Sequence, residues 1–351
     1  MKVLVIGAGI IGTTSALKIQ EAWPECHIDI VTESLSPGTT SDGAAGFWQP
    51  HLDPHTPTEL ARKWSIETFR ELEKIWTCPR ACPASLKPLS KALSLVPAEE
   101  IWNRNCSDAV NARPYWADIV YDYHKMPLED LSRRGFDTEV FDSHSFTTFV
   151  FEAKIALPII YSLLRERGAA FIEKKLLSID DLEQLMEEEA NYDFVINCSG
   201  SGARDLFGDE DIQPIRGHVV RVEAPFVHTM MGLGGDVYII PTRQGVVLGT
   251  IDRLNDWSLE PNPSEVATIM KRCQELCPAL ADSKILNDWV GLRPFRKSGV
   301  RLELVEHHQS TSGRKTKMIH NYGHGGSGIT LSLGCANEVV RLVKAQINEK
   351  S

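Results

Sequence analysis

Two interleaved domains, one an α/β layer on a parallel sheet and the other rich in β-strands, are the fold this sequence predicts. Three observations carry that prediction. The chain opens with a strand, a glycine turn and a helix, "KVLVIGAGIIGTTSAL" (residues 2–17). It closes with a second glycine turn feeding a helix, "HNYGHGGSGITLSLG" (residues 320–334). Between them, over 217–307, lies a run of strand-like segments. With 351 residues, 42% of them hydrophobic and 24% charged, the chain can bury the cores of one or two soluble domains.

Taken in order, residues 2–6 are a continuous apolar run, as buried parallel strands show. Residues 10–22 carry Ile10, Ile11, Ala16, Leu17 and Ile19 at helical spacing. Residues 26–32, "CHIDIVT", alternate apolar and polar and are followed by Glu33, completing a β-α-β unit. Residues 34–56, rich in Ser, Thr, Pro and Gly, predict loop; 57–77 predict an amphipathic helix; 78–148 read as irregular. A helix is expected over 153–167, a strand near "AAFIEKK", and a buried strand ending in a turn over 192–200. Strands are expected at 217–223, 237–241, 245–251, 288–295 and 301–307, with a helix at 263–276 among them and a last helix over 328–348. This alternation predicts a discontinuous nucleotide-binding domain (1–55, 150–210 and 308–351) and a second domain from 56–149 and 211–307.

Composition excludes several classes. A net charge of −10 without a basic patch argues against nucleic acid. No apolar run approaches the roughly 20 residues needed to span a bilayer, and the apolar start reads as a strand rather than a signal peptide. Eight cysteines are too few for a disulfide scaffold. The pairs Cys78/Cys82 and Cys273/Cys277 lack His or Cys partners at zinc spacing, so buried free thiols in a reducing compartment are expected.

Three motifs carry chemistry. Gly7-Ala8-Gly9-Ile10-Ile11-Gly12 follows a strand and opens a helix. Gly7 permits the tight turn, Gly9 the approach of a pyrophosphate, and Gly12 close helix–strand contact, while the helix N-terminus faces the phosphates. Glu33, about 20 residues on, is placed to take ribose hydroxyls. Strand, helix and acid together predict a Rossmann-type dinucleotide site, without separating NAD from FAD. In the second motif Gly323, Gly325, Gly326 and Gly328 precede the long C-terminal helix. That turn either caps an ordinary helix or sets a dipole against the anionic edge of a reduced flavin; the residues alone leave both readings open. The third is Arg293 inside "VGLRPF". A guanidinium among apolar residues needs an anion, supplied by a nearby carboxylate of the chain or by a substrate carboxylate. Tyr238, in "DVYIIPT", is a packed strand tyrosine or a second donor to that carboxylate.

The stretches "VLVIGAGIIG", "SPGTTSDGAAGFWQPHL", "VINCSG", "RGHVVRVEAP", "YIIP", "VGLRPFR" and "HNYGHGGSGIT" occur in one order across almost the whole chain. In them the sequence resembles the D-amino-acid oxidase and D-aspartate oxidase family of flavoproteins. The resemblance implies an FAD-binding Rossmann-type domain interleaved with a β-rich substrate domain. It implies FAD held by Gly7, Ala8, Gly9, Ile10, Ile11, Gly12, Glu33 and Ser34, with Thr39, Thr40 and Ser41 at the pyrophosphate. Gly46, Phe47 and Gln49 would approach the flavin, Leu176 the adenosine, and Cys198, Ser199 and Gly200 would close over the cofactor. Gly323, Gly325, Gly326, Ser327, Gly328, Ile329 and Thr330 would meet the flavin O2/N1 edge. Arg293 and Tyr238 would hold the substrate carboxylate and the Gly326 carbonyl its amine. The implied reaction moves hydride from the Cα of a D-amino acid to flavin N5 and, with O2, gives a 2-oxo acid, ammonia and hydrogen peroxide. Relatives are often homodimers and commonly peroxisomal; this chain ends in "NEKS" rather than S-K-L, so peroxisome and cytosol are both expected.

Substrate choice is where the chain departs from its relatives. Gly234 stands where vertebrate-type D-amino-acid oxidases carry a second tyrosine, and Ser327 where they carry an aromatic residue. Met231 and Asp252 stand where oxidases of acidic substrates carry basic side chains. A preference for neutral D-amino acids is therefore expected, with a D-aspartate or D-glutamate oxidase as the alternative. Arg243 and Arg253 are near enough in sequence to supply a charge. Asp252 is expected as a solvated turn residue; facing the cavity, it would repel acidic substrates and favour D-Lys or D-Arg. His51 and His324 are expected to be structural, near the flavin.

Overall fold

Strand β1 (Lys2–Ile6) forms where the apolar run predicts it. Val3, Leu4 and Val5 are fully buried, each stabilising the sheet by roughly 2 kcal/mol. The computed structural model describes residues 1–51, 55–77, 80, 82–105, 113–188, 192–308 and 315–348; Cys78 lies outside them. β2 (His27–Thr32) and β7 (Phe194–Asn197) flank β1 in parallel. β6 (Ala170–Glu173) extends the sheet beyond β2, and β14 (Lys315–Tyr322) extends it beyond β7, both in parallel. β13 (Arg301–His308) is its antiparallel edge.

The helices, in order, are α1 (Ile10–Ala22), α2 (Thr40–Gly43), α3 (Thr58–Thr77), α4 (Leu128–Arg133), α5 (Ala153–Glu166), α6 (Ile179–Glu188), α7 (Ala203–Phe207), α8 (Pro263–Leu276) and α9 (Gly328–Asn348). α9, the last helix, packs between α1 and α3. Thr14 Oγ1 donates to Ser332 O at 3.4 Å on one side, and Gly334 N donates to Thr68 Oγ1 at 2.9 Å on the other. A Cβ on Gly334 would overlap Trp64 O, so the crossing depends on glycine there. The two ends of the chain are thereby neighbours in one layer.

The second sheet has eight strands in the order β12 (Lys284–Arg296), β8 (Ile212–Glu223), β11 (Gly245–Leu254), β10 (Val237–Thr242), β9 (Met230–Leu233), β3 (Leu93–Asn103), β5 (Phe141–Phe151), β4 (Tyr121–Lys125). All neighbours are antiparallel except β3 and β9.

Two expectations are corrected. Residues 78–148, read as irregular, contain β4 and nearly all of two eleven-residue strands, β3 and β5, paired along their whole length. Pro97, Glu99 and Glu100 hide the first, and Asp142, Ser143 and His144 the second. Pro97 is tolerated because β3 gains its second neighbour only from Ala98 onward. The strand expected at 301–307 as part of the second domain instead closes the six-stranded sheet, register-paired with β14 through Arg301 and Tyr322. The β3–β5 pairing joins distant segments; β13 pairs with the next strand, β14, and its sheet follows from the pairing of β14 with the distant β7.

Candidate active site

Gly7 turns the chain at φ 101°, and a side chain on it would come 2.5 Å from Cys198 O. Its N–H donates to Val31 O at 2.8 Å, and Ala8 N donates to Thr32 Oγ1 at 3.3 Å. The first residue of α1, Ile10, donates to Ser41 Oγ at 3.1 Å. Thr39 and Asp42 form a capping box on α2, with Thr39 N donating to Asp42 Oδ2 at 2.9 Å, which fixes the 39–42 loop over that turn. At the far end of the chain, β14 leads into a tight turn over Gly325–Ser327 and then α9.

Both turns open on one cavity of about 1830 Å³, well above the roughly 300–1,000 Å³ usual for a single small ligand. Its walls include Gly7, Ala8, Gly9, Ile10, Ile11, Glu33, Ser34, Thr39, Thr40 and Ser41. They continue through Gly46, Phe47, Gln49, Leu176, Cys198, Ser199, Gly200, Gly323, Gly325, Gly326, Gly328, Ile329 and Thr330 to Tyr238 and Arg293. Gly12 and Ser327 do not line it. Gly12 is a packing residue, since a Cβ there would overlap Gly7 O. Ser327 Oγ donates to His51 O at 2.7 Å and accepts from His51 N at 3.2 Å, fastening the segment before residue 52 to the second turn. Thr330 Oγ1 donates to Gln49 O at 3.2 Å. Glu33 pairs with Lys175 at 2.7 Å at the exposed end, which holds its carboxylate at the rim.

The eight-stranded sheet presents its inner face to the same cavity. Across that face, register aligns His144, Glu100, Gly232, Tyr238 and Gly249 on successive strands, and beside them Asp252, Gly217 and Gly291. The glycines are slots. A Cβ on Gly217 would lie 2.7 Å from the Arg293 Nη1, one on Gly249 would overlap the Tyr238 ring, and one on Gly43 or Gly291 would overlap Trp289. Arg293 Nη1 donates to Asp252 Oδ1 at 2.5 Å. Burial opposes the charge on Arg293, but Tyr238 and Asp252 outweigh it and its pKa sits above the ordinary arginine value. Arg293 also faces the second glycine turn: a Cβ on Gly326 would lie 3.7 Å from its Cδ.

Several sequence expectations change here. Asp252 is exposed, as expected, but it sits in strand β11 rather than a turn and lines the cavity. Met231 faces away, packed on the cluster of Val237, Ile239 and Leu248, while its neighbour Gly232 faces in. Arg243 Nη2 donates to Leu93 O at 2.5 Å, Arg253 pairs with Glu265 at 2.7 Å, and neither lines the cavity. Glu100, His144 and Trp289 line it and were missed. Glu100 Oε2 accepts from Gln49 Nε2 and lies 2.9 Å from His144 Nε2. Isolated glycines within strands (Gly217, Gly232, Gly249, Gly291) were the available signal, because such positions mark a close approach of other groups.

Three imidazoles, His51, His324 and His320, have lowered pKa values. His51 is open to the cavity yet surrounded by protein; burial pushes its pKa down, Arg293 adds to this, and Glu100 and Asp252 oppose it. Burial alone takes His324 to about 3, and burial followed by the Arg301 charge takes His320 to about 4. Below the ordinary value of 6.5 the unfolded chain binds protons that the folded chain refuses, so stability is lost as pH falls. The thermal midpoint should therefore decline from about pH 6.5 downward as these groups contribute, and H320N/H324Q should flatten the slope between about 6.5 and about 4. An unchanged slope in the double variant would contradict this account.

The cavity suits a dinucleotide whose ends lie far apart. Glycines cradle it at both turns, the N-termini of α1 and α9 face it, and the buried His324 Nε2 at its wall has no hydrogen-bond partner among the described residues. A family model described as FAD dependent oxidoreductase (DAO) matches residues 2–342. The chain is 35% identical to a human D-aspartate oxidase, covering 97% of this chain and 94% of the relative. It is 33% identical to a D-amino acid oxidase of Dugesia ryukyuensis, covering 98% and 97%. Glycine oxidase from Geobacillus kaustophilus superposes with a TM-score of 0.75 at 17% identity, over 98% of this chain and 94% of that one, which is a likeness of fold. With its paired glycine turns and a cavity between two sheets, the chain belongs to the DAO family of FAD-dependent oxidoreductases.

Proposed function

We propose that this protein oxidises D-amino acids to 2-oxo acids and ammonia, reducing dioxygen to hydrogen peroxide. The observation that carries the reading is Arg293, a guanidinium kept charged inside the cavity that both glycine turns line. FAD, held by the Gly7–Ile11 turn, the 39–41 loop and the Gly323–Thr330 turn, supplies when bound the acceptor for the two electrons leaving the substrate Cα. The chain supplies geometry. Arg293 binds the α-carboxylate with Tyr238 beside it, and the Gly326 carbonyl accepts from the amine. Two of the groups on Cα are then fixed and its hydrogen points one way, an arrangement worth on the order of 7–11 kcal/mol when complete. No strong base is needed if the amine binds neutral, and His51 and His324, both with depressed pKa values, are not assigned that role. The imino acid leaves and is hydrolysed by water.

A panel of D- and L-amino acids with peroxide and ammonia detection tests this. Peroxide and ammonia in equal amounts from D-substrates are expected; turnover of L-substrates alone would overturn the reading. D-Aspartate is the second reading, favoured by the name of the human relative. The charges on the cavity face oppose it.

A further inference from the structure

The cavity-facing charges reach beyond the reaction type to the side chain of the substrate. This step rests on the reading above, in which Arg293 takes the α-carboxylate. Two carboxylates, Asp252 and Glu100, project from the same sheet face as Arg293. Between Glu100 and the Asp252–Arg293 pair the register places Gly232, Tyr238, Gly249 and Gly217, with the Tyr238 ring lying over Gly249 and the Arg293 guanidinium over Gly217. The four groups share one space: His51 feels the charges of Glu100, Arg293 and Asp252 together. The buried His144, whose Nδ1 has no hydrogen-bond partner among the described residues, stands at the Glu100 end.

Charge balance then decides. Arg293 is one cation against two acids before any ligand binds. A substrate α-carboxylate on Arg293 adds a third anion beside Asp252. Of the other cations of the wall, Lys174 stands beside Lys175 at the Glu33 end, and three have partners of their own. Arg272 pairs with Asp236 at 2.6 Å, the Arg113 guanidinium lies over the Tyr123 ring at 5.5 Å, and Lys175 pairs with Glu33. Arg243 and Arg253, the arginines closest in sequence, do not line the cavity. A carboxylate that must share its counter-charge with a second anion is stabilised by another cation nearby. A side-chain carboxylate deepens the imbalance, a neutral side chain leaves it, and a side-chain cation removes it.

We propose that the site selects D-amino acids whose side chains end in a cation, the D-lysine and D-arginine class, and that Asp252 is the specificity-determining residue, with Glu100 as the second acid.

The test uses the FAD-loaded enzyme and isosteric pairs: D-lysine against D-norleucine and D-glutamine against D-glutamate. We expect kcat/KM to favour D-lysine over D-norleucine by on the order of 10-fold, and D-glutamine over D-glutamate by a similar factor. In Asp252→Asn the lysine-to-norleucine ratio falls by about 10-fold, with the change carried in KM. Glu100→Gln, which keeps an oxygen acceptor for Gln49, lowers the same ratio by a smaller factor and serves if the first variant does not fold. Turnover of D-amino acids without a preference for the cation overturns the inference and leaves the reaction assignment standing. So does an Asp252→Asn variant that loses both substrates equally, because Asp252 would then only prop Arg293. Failure of every D-amino acid to react overturns both.

Discussion

Arg293→Leu leaves the purified protein yellow with bound flavin and lowers kcat/KM on every proposed substrate by on the order of 100-fold or more. The substitution removes the group to which the α-carboxylate binds and strands Asp252 in the cavity without its 2.5 Å partner. Both effects act on the substrate half of the cavity, whereas the glycine turns that would hold FAD keep their own bonds: Ile10 to Ser41, Thr330 to Gln49 and Ser327 to His51. Arg293→Lys separates charge from shape. It keeps the cation but loses the two-pronged fork, so it should recover only part of the loss. An Arg293→Leu enzyme that retains its activity would remove the clamp from the account.

The second large effect falls on the cofactor. Gly12→Ala places a methyl group onto Gly7 O, which is backbone and is itself tied to β2 through Gly7 N and Val31 O. The turn cannot yield without parting α1 from β1, and overpacking of this kind costs about 1–3 kcal/mol. The same displacement moves Ala8 through Ile10, which line the cavity. The variant should purify with little flavin and melt lower than the parent, and added FAD should restore only part of the difference, because weaker binding returns less stability by mass action. The ratio of flavin to protein absorbance checks this directly. Full flavin content in Gly12→Ala would show that this turn is not the cofactor's cradle.

Much of this was legible from local sequence, for a physical reason. Gly7 and Gly12 are demanded by contacts within one β-α-β unit, so their spacing is written in a few consecutive residues. The same holds for α9, whose glycine turn and long apolar periodicity are local. Arg293 and Tyr238 were different. Spacing could not say whether the arginine's anion belongs to the chain or to a ligand, and family resemblance supplied the functional reading. The structure shows that the chain does provide an anion, Asp252, and that it lies on the cavity side. Strands β3 and β5 were hidden because the polar residues that break their alternation, Glu100 and His144, face the cavity rather than solvent. The sheet to which β13 belongs is that of the strand after it, β14, whose place beside β7 is set by distant chain that no local pattern records. Met231 was aligned to the cavity face one position from the residue that occupies it, Gly232, and in a strand one residue is the difference between the two faces.

The central claim is that the two ends of the chain meet around one FAD, with Arg293 holding the acid end of a D-amino acid against it. Anaerobic titration of the purified protein with D-lysine, followed through the visible flavin band, tests it most directly. The account predicts that the band bleaches with D-lysine, stays with L-lysine, and returns when air is admitted. A protein that carries no flavin, or a flavin band that no D-amino acid bleaches, would contradict it.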